Sequence, residues 1–331
     1  MDLVSILLPF TNEGAWLKAA VTSIINQSYP DWELLLIGNR PDSYTMGIAE
    51  SFGWNTRIRI LKEERPGLSY ALNHGLREAY GNFIARMDAD DECLPDRLSK
   101  QMDCLLKSPH IDAVSCQTDI HPDGIPGEGF KAYMEWQNAL IEPLDHQHNR
   151  FIESPLAHPT ILFRKGLIDE LGFYQTGDVP EDYELWLRWM HADKRICKLP
   201  LPLYLWRDHY GRLSRMSQSY SRDRFNDLRF RYLALDLIKR NIRRPVILCG
   251  GRRLRKNAAQ MLEKEGVKIA GYADVKQTDP GNKLFIHAED IGKTREFYFI
   301  SITGGRGKSG EMRRFFDSKG LQEYEDYIIA A

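Results

Sequence analysis

The chain has 331 residues, enough for two domains with cores of their own. Its 45 Lys and Arg stand against 46 Asp and Glu, so no general field of positive charge draws it to nucleic acid. The five cysteines are scattered, odd in number and without the short paired spacings of a zinc site, which predicts reduced thiols and a cytoplasmic protein.

Leu3 to Phe10 is an almost continuous apolar run, the pattern of a strand buried on both faces. It carries no basic leader, and no apolar run in the chain approaches the length of a membrane span, so any membrane contact is expected to be peripheral. A helix from Gly14 to Gln27 follows. Further strands are expected at Asp31 to Ile37, Arg57 to Leu61 and Asn82 to Met87, with helices between them. Such alternation predicts a mostly parallel sheet covered on both sides, with ligands at the carboxyl ends of its strands.

The fourth of these strands runs directly into Asp88, Asp90 and Asp91. Carboxylates this close repel one another unless a cation lies between them, and hard oxygen ligands suit magnesium or manganese. The same residues also suit a polar loop capping the helix that Pro95 would begin, predicted over Leu94 to Leu106. Asp112 to Cys116 reads as a short strand, and the Pro- and Gly-rich stretch from His121 to Gly129 as a loop. A polar helical stretch then carries His146 and His148, read as a solvated face, and Ser154 to Lys165 reads as a strand with a polar start.

At Val179-Pro-Glu-Asp-Tyr-Glu-Leu-Trp-Leu-Arg-Trp189 a helix begins at Pro180. Leu185 and Trp189 turn toward the core, and Glu181 and Asp182 fall in an exposed first turn. Acids are favoured there by the helix dipole whatever their function. Leu199 to Ser214 includes Arg207, His209 and Arg212. Residues 219 to 240 form an amphipathic connector with Phe225, Leu228, Tyr232 and Leu235 on one stripe.

The run from Gly67 through Asn73 to Ala85-Arg-Met-Asp-Ala-Asp-Asp91, with the Pro9-Phe-Thr-Asn-Glu13 and Glu181-Asp182 segments, resembles the family two glycosyltransferases. The resemblance spans roughly residues 3 to 215 and implies the GT-A nucleotide-sugar-binding fold. It further implies a metal held by Asp88 and Asp90 with His209 as a third ligand, and a nucleotide lying against Pro9, Thr11, Glu13, Asn39, Gly67, Asn73, Asp88 and Arg207. The paired aspartates that commonly read the base are missing, and Ile37-Gly38-Asn39-Arg40 stands in their place. Asn39 has an amide suited to a uracil edge. The resemblance makes Asp182 the catalytic base.

After the connector a second α/β pattern opens. Strands are expected at Pro245 to Cys249, Val267 to Ala273 and Phe297 to Ile302, in a small Rossmann-like domain over residues 243 to 331. Its turn reads Gly250-Gly-Arg-Arg-Leu-Arg255, with Arg255 where a dinucleotide site needs a small residue. An interaction or structural role is expected there ahead of a cofactor.

The domains are thus expected at 1–218 and 243–331, joined by the helix at 219–242. The function expected is metal-dependent, inverting transfer from a nucleotide-diphosphate sugar, with uridine as the first choice of nucleoside, to a hydroxyl of a glycan or lipid-linked acceptor. Manganese or magnesium is the expected cofactor. A sugar nucleotidyltransferase would need a Gly-rich loop where Phe10-Thr-Asn-Glu13 stands, and an NAD-dependent oxidoreductase has only the poor glycine pattern in its favour. The remaining alternative is a non-catalytic protein binding a nucleotide or partner through the C-terminal domain.

Overall fold

The computed structural model describes residues 2–276, 281–293, 295–302 and 305–330. It divides into two compact units, one of residues Met1–His146 and Pro155–Tyr220, the other of Gln147–Ser154 and Ser221–Ala331.

In the first unit, β1 (Val4–Phe10), α1 (Ala15–Ile25), β2 (Trp32–Asn39), α2 (Ser43–Glu50), β3 (Ile58–Glu63), α3 (Leu68–Glu78) and β4 (Phe83–Arg86) alternate as the apolar runs predict. Next come β5 (Glu92–Cys93), α4 (Arg97–Lys107), β6 (Ala113–Ile120), α5 (Glu128–Asn138) and α6 (Pro143–Asn149), whose residues from Gln147 on count with the other unit, then β7 (Leu162–Arg164), α7 (Gly166–Leu171), α8 (Glu181–His191), β8 (Ile196–Trp206) and α9 (Leu213–Met216). The eight strands form one sheet in the order β3-β2-β1-β4-β7-β6-β8-β5. The first four are mutually parallel, while β7 runs against both β4 and β6, and β5 against β8.

Strand β1 shows why both faces must be covered. Val4, Ile6, Leu8 and Phe10 enter one apolar cluster, while Leu7 joins Leu35, Ile37 and Leu72 in the other. Where α3 ends, the chain must pass close to β1, and a Cβ on Gly81 would collide with the Leu3 carbonyl.

Several expectations shift. Helix α4 starts at Arg97 because Leu94 is held on the sheet side, donating to the Leu203 carbonyl while its own carbonyl accepts from Gln27. His146 is no solvated residue: it is 1% exposed, and neither ring nitrogen has a hydrogen-bond partner. The stretch from Ser154 to Lys165 is mostly a loop with a 3₁₀ turn at His158–Thr160, leaving only the three residues of β7 extended.

The second unit holds α10 (Arg222–Lys239), β9 (Val246–Cys249), α11 (Arg252–Lys264), β10 (Ile269–Asp274), β11 (Leu284–His287), β12 (Tyr298–Ile302), α12 (Arg306–Ser318) and β13 (Tyr327–Ala330). Its sheet is wholly parallel in the order β11-β10-β9-β12-β13, the Rossmann-like arrangement. β11 and β13 were not anticipated.

Of the predicted stripe only Leu228 is fully buried, and Phe230, Leu233 and Leu237 complete the buried face of α10, with Arg229 and Asp236 among them. The reason is polar. Arg229 donates to the Ile152 carbonyl, and Asp236 accepts from Arg150, so charged side chains turn inward. Arg255 is buried as well, donating to the Ala273 carbonyl and lying 3.5 Å from Asp274, where a dinucleotide turn would need a small side chain. Thr303 and Gly304, part of the second glycine-rich turn, lie outside the described residues.

Candidate active site

The carboxyl end of β4 delivers the acidic loop. Asp88, Asp90 and Asp91 present oxygens that all lie within 4.8 Å of one another. Each has a different neighbour. Asp88 accepts from the Arg86 guanidinium, and Asp90 lies 2.8 Å from His209 Nε2. Asp91 accepts from the Tyr204 hydroxyl at 3.0 Å and the Arg207 backbone N–H at 2.7 Å. Both oxygens of Asp91 are therefore engaged in holding the loop, while Asp90 lies against His209 and Asp88 against Arg86.

The electrostatics are those of charges packed without enough counter-charge. Burial, then repulsion from Asp90 and Asp88, pushes Asp91 well above the usual carboxylate range, and burial raises Asp88 against the pull of Arg86. Burial would raise Asp90 too, but the His209 hydrogen bond and the nearby Arg212 charge bring it below its ordinary value. Hard oxygens at this separation, with an imidazole against one of them, fit manganese or magnesium. Trp16 supports the imidazole from behind, its ring centre 4.7 Å from that of His209.

Arg207, expected against the nucleotide, is a strut instead. It is 3% exposed and uses all three guanidinium nitrogens on the Asp90 carbonyl, Asp123, Glu92 and His121. The arginine whose charge reaches Asp88, Asp90 and Asp91 is Arg212, stacked over Trp206 and Phe130.

Beyond the acidic loop lie the ends of β1 to β3. Pro9 pairs with Ile37 in the sheet. Thr11 folds onto Glu13, its N–H donating at 2.6 Å and its hydroxyl at 3.0 Å, and burial raises the Glu13 carboxyl. Asn39 does not present its amide to a base. Its Nδ2 donates to the Glu63 and Arg65 carbonyls and its Oδ1 accepts from the Gly67 N–H, so it clamps the loop 63–67. Gly67 occupies φ +125°, a conformation that disfavours a side chain, just before α3. Asn73 is likewise turned inward, donating to the Tyr174 carbonyl and accepting from its N–H, both at 2.9 Å.

Helix α8 brings Glu181 and Asp182. The turn is not exposed: Glu181 is 4% accessible and Asp182 half-buried. Asp182 Oδ1 accepts from the Tyr183 N–H at 2.7 Å, and burial lifts its carboxyl to about 6. Glu181 rises to about 8, from burial and then from repulsion by Asp182.

Arg86 connects the two acidic groups. It is 2% exposed, bonds Asp88, and its charge is felt at Asp182, Glu181 and His158. Sequence reasoning passed over it, although an arginine in an otherwise apolar strand beside acids is itself a signal. Tyr204 and Tyr220, which bond Asp91 and Glu181, were also missed and had no local pattern to reveal them.

A two-sided sheet carrying paired acids at a strand end is the arrangement of a nucleotide-sugar-dependent transferase with the GT-A fold. The chain belongs to glycosyl transferase family 2, whose family model matches residues 5–172, just over half its length. It is 30% identical over 195 residues to the O-antigen biosynthesis glycosyltransferase WbnJ of Escherichia coli, an alignment covering 57% of this chain and 72% of that one. It is 31% identical over 187 residues to the amylovoran biosynthesis glycosyltransferase AmsE of Erwinia amylovora, covering 56% and 67%. Among solved structures, TarS 1–349 of S. aureus in complex with UDP-GlcNAc superposes with a TM-score of 0.55 at 16% identity, over 80% of this chain and 71% of that one, a likeness of fold. The protein is a glycosyltransferase. No helix among its described residues is long and apolar enough to cross a membrane.

Proposed function

We propose that this glycosyltransferase moves a hexosyl group from a nucleotide-diphosphate sugar, UDP-linked, to a hydroxyl of a glycan or lipid-linked acceptor, with inversion and with manganese or magnesium as cofactor. The observation that carries the reading is the placement of Arg86. It bonds Asp88 while its charge acts on Asp182, so the metal-type acids and the base-type acid share one surround. The UDP-GlcNAc bound by TarS supports a uridine donor. The O-antigen and amylovoran roles of the relatives support a cell-surface polysaccharide as product.

Asp88, Asp90 and His209 would hold the cation, which when bound supplies the positive charge that a leaving diphosphate needs. Arg212 adds fixed charge on the same side. Asp182 accepts the proton of the acceptor hydroxyl as that oxygen bonds the anomeric carbon, and the electron pair of the broken bond departs on the diphosphate. Burial and the neighbouring Asp182 raise the Glu181 carboxyl to about 8, which weakens it as a second nucleophile and is in keeping with a single inverting displacement.

Thermal melting with UDP, GDP and their sugars, with and without manganese, tests the reading, because a ligand of the folded state raises its melting point. UDP with manganese should raise it and UDP alone should not. If no nucleotide diphosphate shifts the protein with either metal, the reading falls.

A further inference from the structure

Glu181 is an odd neighbour for a base. An ionised carboxylate beside Asp182 would hold its proton acceptor in competition with a like charge, and a free one would let the first turn of α8 move. Burial and Asp182 raise the Glu181 carboxyl, and the carboxyl is firmly bonded. The Tyr220 hydroxyl reaches both oxygens of Glu181, at 2.8 and 2.7 Å. His158 Nδ1 stands 3.7 Å from the same carboxyl, and its Nε2 lies 2.9 Å from the Tyr174 hydroxyl. Tyr174 in turn is pinned by Asn73 through both of its backbone groups. Glu181 is thus seated from two sides, by a buried His-Tyr pair and by Tyr220.

Tyr220 arrives from an informative direction. It closes the segment that leaves β8 at Trp206 and carries His209 against Asp90, with Arg212 beyond it. Just before Tyr220, the Ser219 hydroxyl donates to Asp178 at 3.0 Å, a second tie to the chain leading into α8. One short stretch therefore touches the acidic loop at its start and the base turn at its end.

We infer that Tyr220 is a positioning residue for Asp182: by seating Glu181 it fixes the first turn of α8, and it makes that turn depend on the segment that places His209. This rests on the reading of Asp182 as the base. Tyr220 itself touches no reacting atom and works through its neighbour. Its loss should misplace the proton acceptor while leaving the donor-side contacts as they are.

The test is Tyr220→Phe, which keeps the ring and removes only the hydroxyl, compared with Asp182→Asn and with the double variant of the full chain. Tyr220→Phe should lower kcat about tenfold, the scale of a sub-ångström misplacement, with the calorimetric Kd for UDP and manganese unchanged. Because the hydroxyl acts through Asp182, the double variant should be no slower than Asp182→Asn alone. Wild-type kcat in Tyr220→Phe, with Asp182→Asn inactive, would overturn the seat and spare the base. A full additional loss in the double variant would also overturn it, since Tyr220 would then act independently. If Asp182→Asn retains turnover, the base reading fails and the inference with it. Ser219→Ala, which removes the neighbouring tie to Asp178 without touching Glu181, provides a second measurement and should lower kcat less than Tyr220→Phe; an equal or larger loss would overturn the assignment to the tyrosine.

Discussion

Asp90 and Asp182 are both half-buried carboxylates, yet their surroundings push them in opposite directions. Asp90 is held ionised by His209 and Arg212, whereas burial lifts Asp182 to about 6. The first suits a metal ligand and the second a proton acceptor. Replacing Asp90 by Asn keeps an oxygen but removes the charge that would hold a cation, so calorimetry should show manganese-dependent UDP binding abolished, with unchanged binding as the contrary result. Asp182→Asn should leave that binding intact and lower turnover by roughly two to four powers of ten. The pH profile adds a sign. A base works only when deprotonated, so kcat should fall as pH drops through about 6, the value to which burial raises Asp182. An ordinary aspartate would place that limb near about 4. A flat profile between those values, or a limb that persists in Asp182→Asn, would remove the assignment.

At the scale of elements, strands β1 to β4 lie within a few residues of the apolar runs that announced them, because a strand buried on both faces leaves an unbroken signature. The acidic loop and the Glu181-Asp182 turn were legible for a similar reason: their chemistry is local in the chain. What misled was polar residues whose partners are distant. Asn39 looked like a base reader by position, but its partners are the carbonyls of Glu63 and Arg65 and the N–H of Gly67, none visible in the neighbouring sequence. Arg207 failed in the same way, with its carboxylate partners on two other segments. The α10 stripe was right at Leu228 and misplaced elsewhere, because buried Arg229 and Asp236 count as polar in any periodicity. The correction is testable at Asn39. Asn39→Ala leaves two carbonyls and one N–H without partners, and it should lower unfolding stability by about 1–3 kcal/mol in chemical denaturation. An unchanged midpoint would mean that the loop 63–67 holds itself.

For the whole molecule, the sequence pattern showed that a second α/β unit follows the first, but not that Gln147–Ser154, embedded in the first stretch, belongs to it. Arg150 in this short segment makes the difference. It is fully buried, with Nη2 donating to Asp236 at 2.8 Å and Nη1 to the Tyr324 hydroxyl at 3.1 Å. A cut after residue 240 would therefore divide a packed unit and leave this segment without Tyr324. A point change separates stability from chemistry more cleanly. Asp236→Ala removes the carboxylate that also accepts from Arg240 at 2.9 Å and strands the Arg150 guanidinium in the interior. Breaking a buried pair from one side costs about 3–5 kcal/mol, and the surviving Tyr324 contact argues for the lower end. Every residue assigned here to donor, metal or base lies in the first unit, so the calorimetric Kd for UDP with manganese should stay within about twofold of the parent while the melting point falls. A variant that melts like the parent would deny Asp236 its structural role. One that remains folded by circular dichroism but no longer binds UDP would show that the second unit contributes to the donor site, contrary to the division of labour drawn from the positions of Asp88, Asp90, Asp182 and His209.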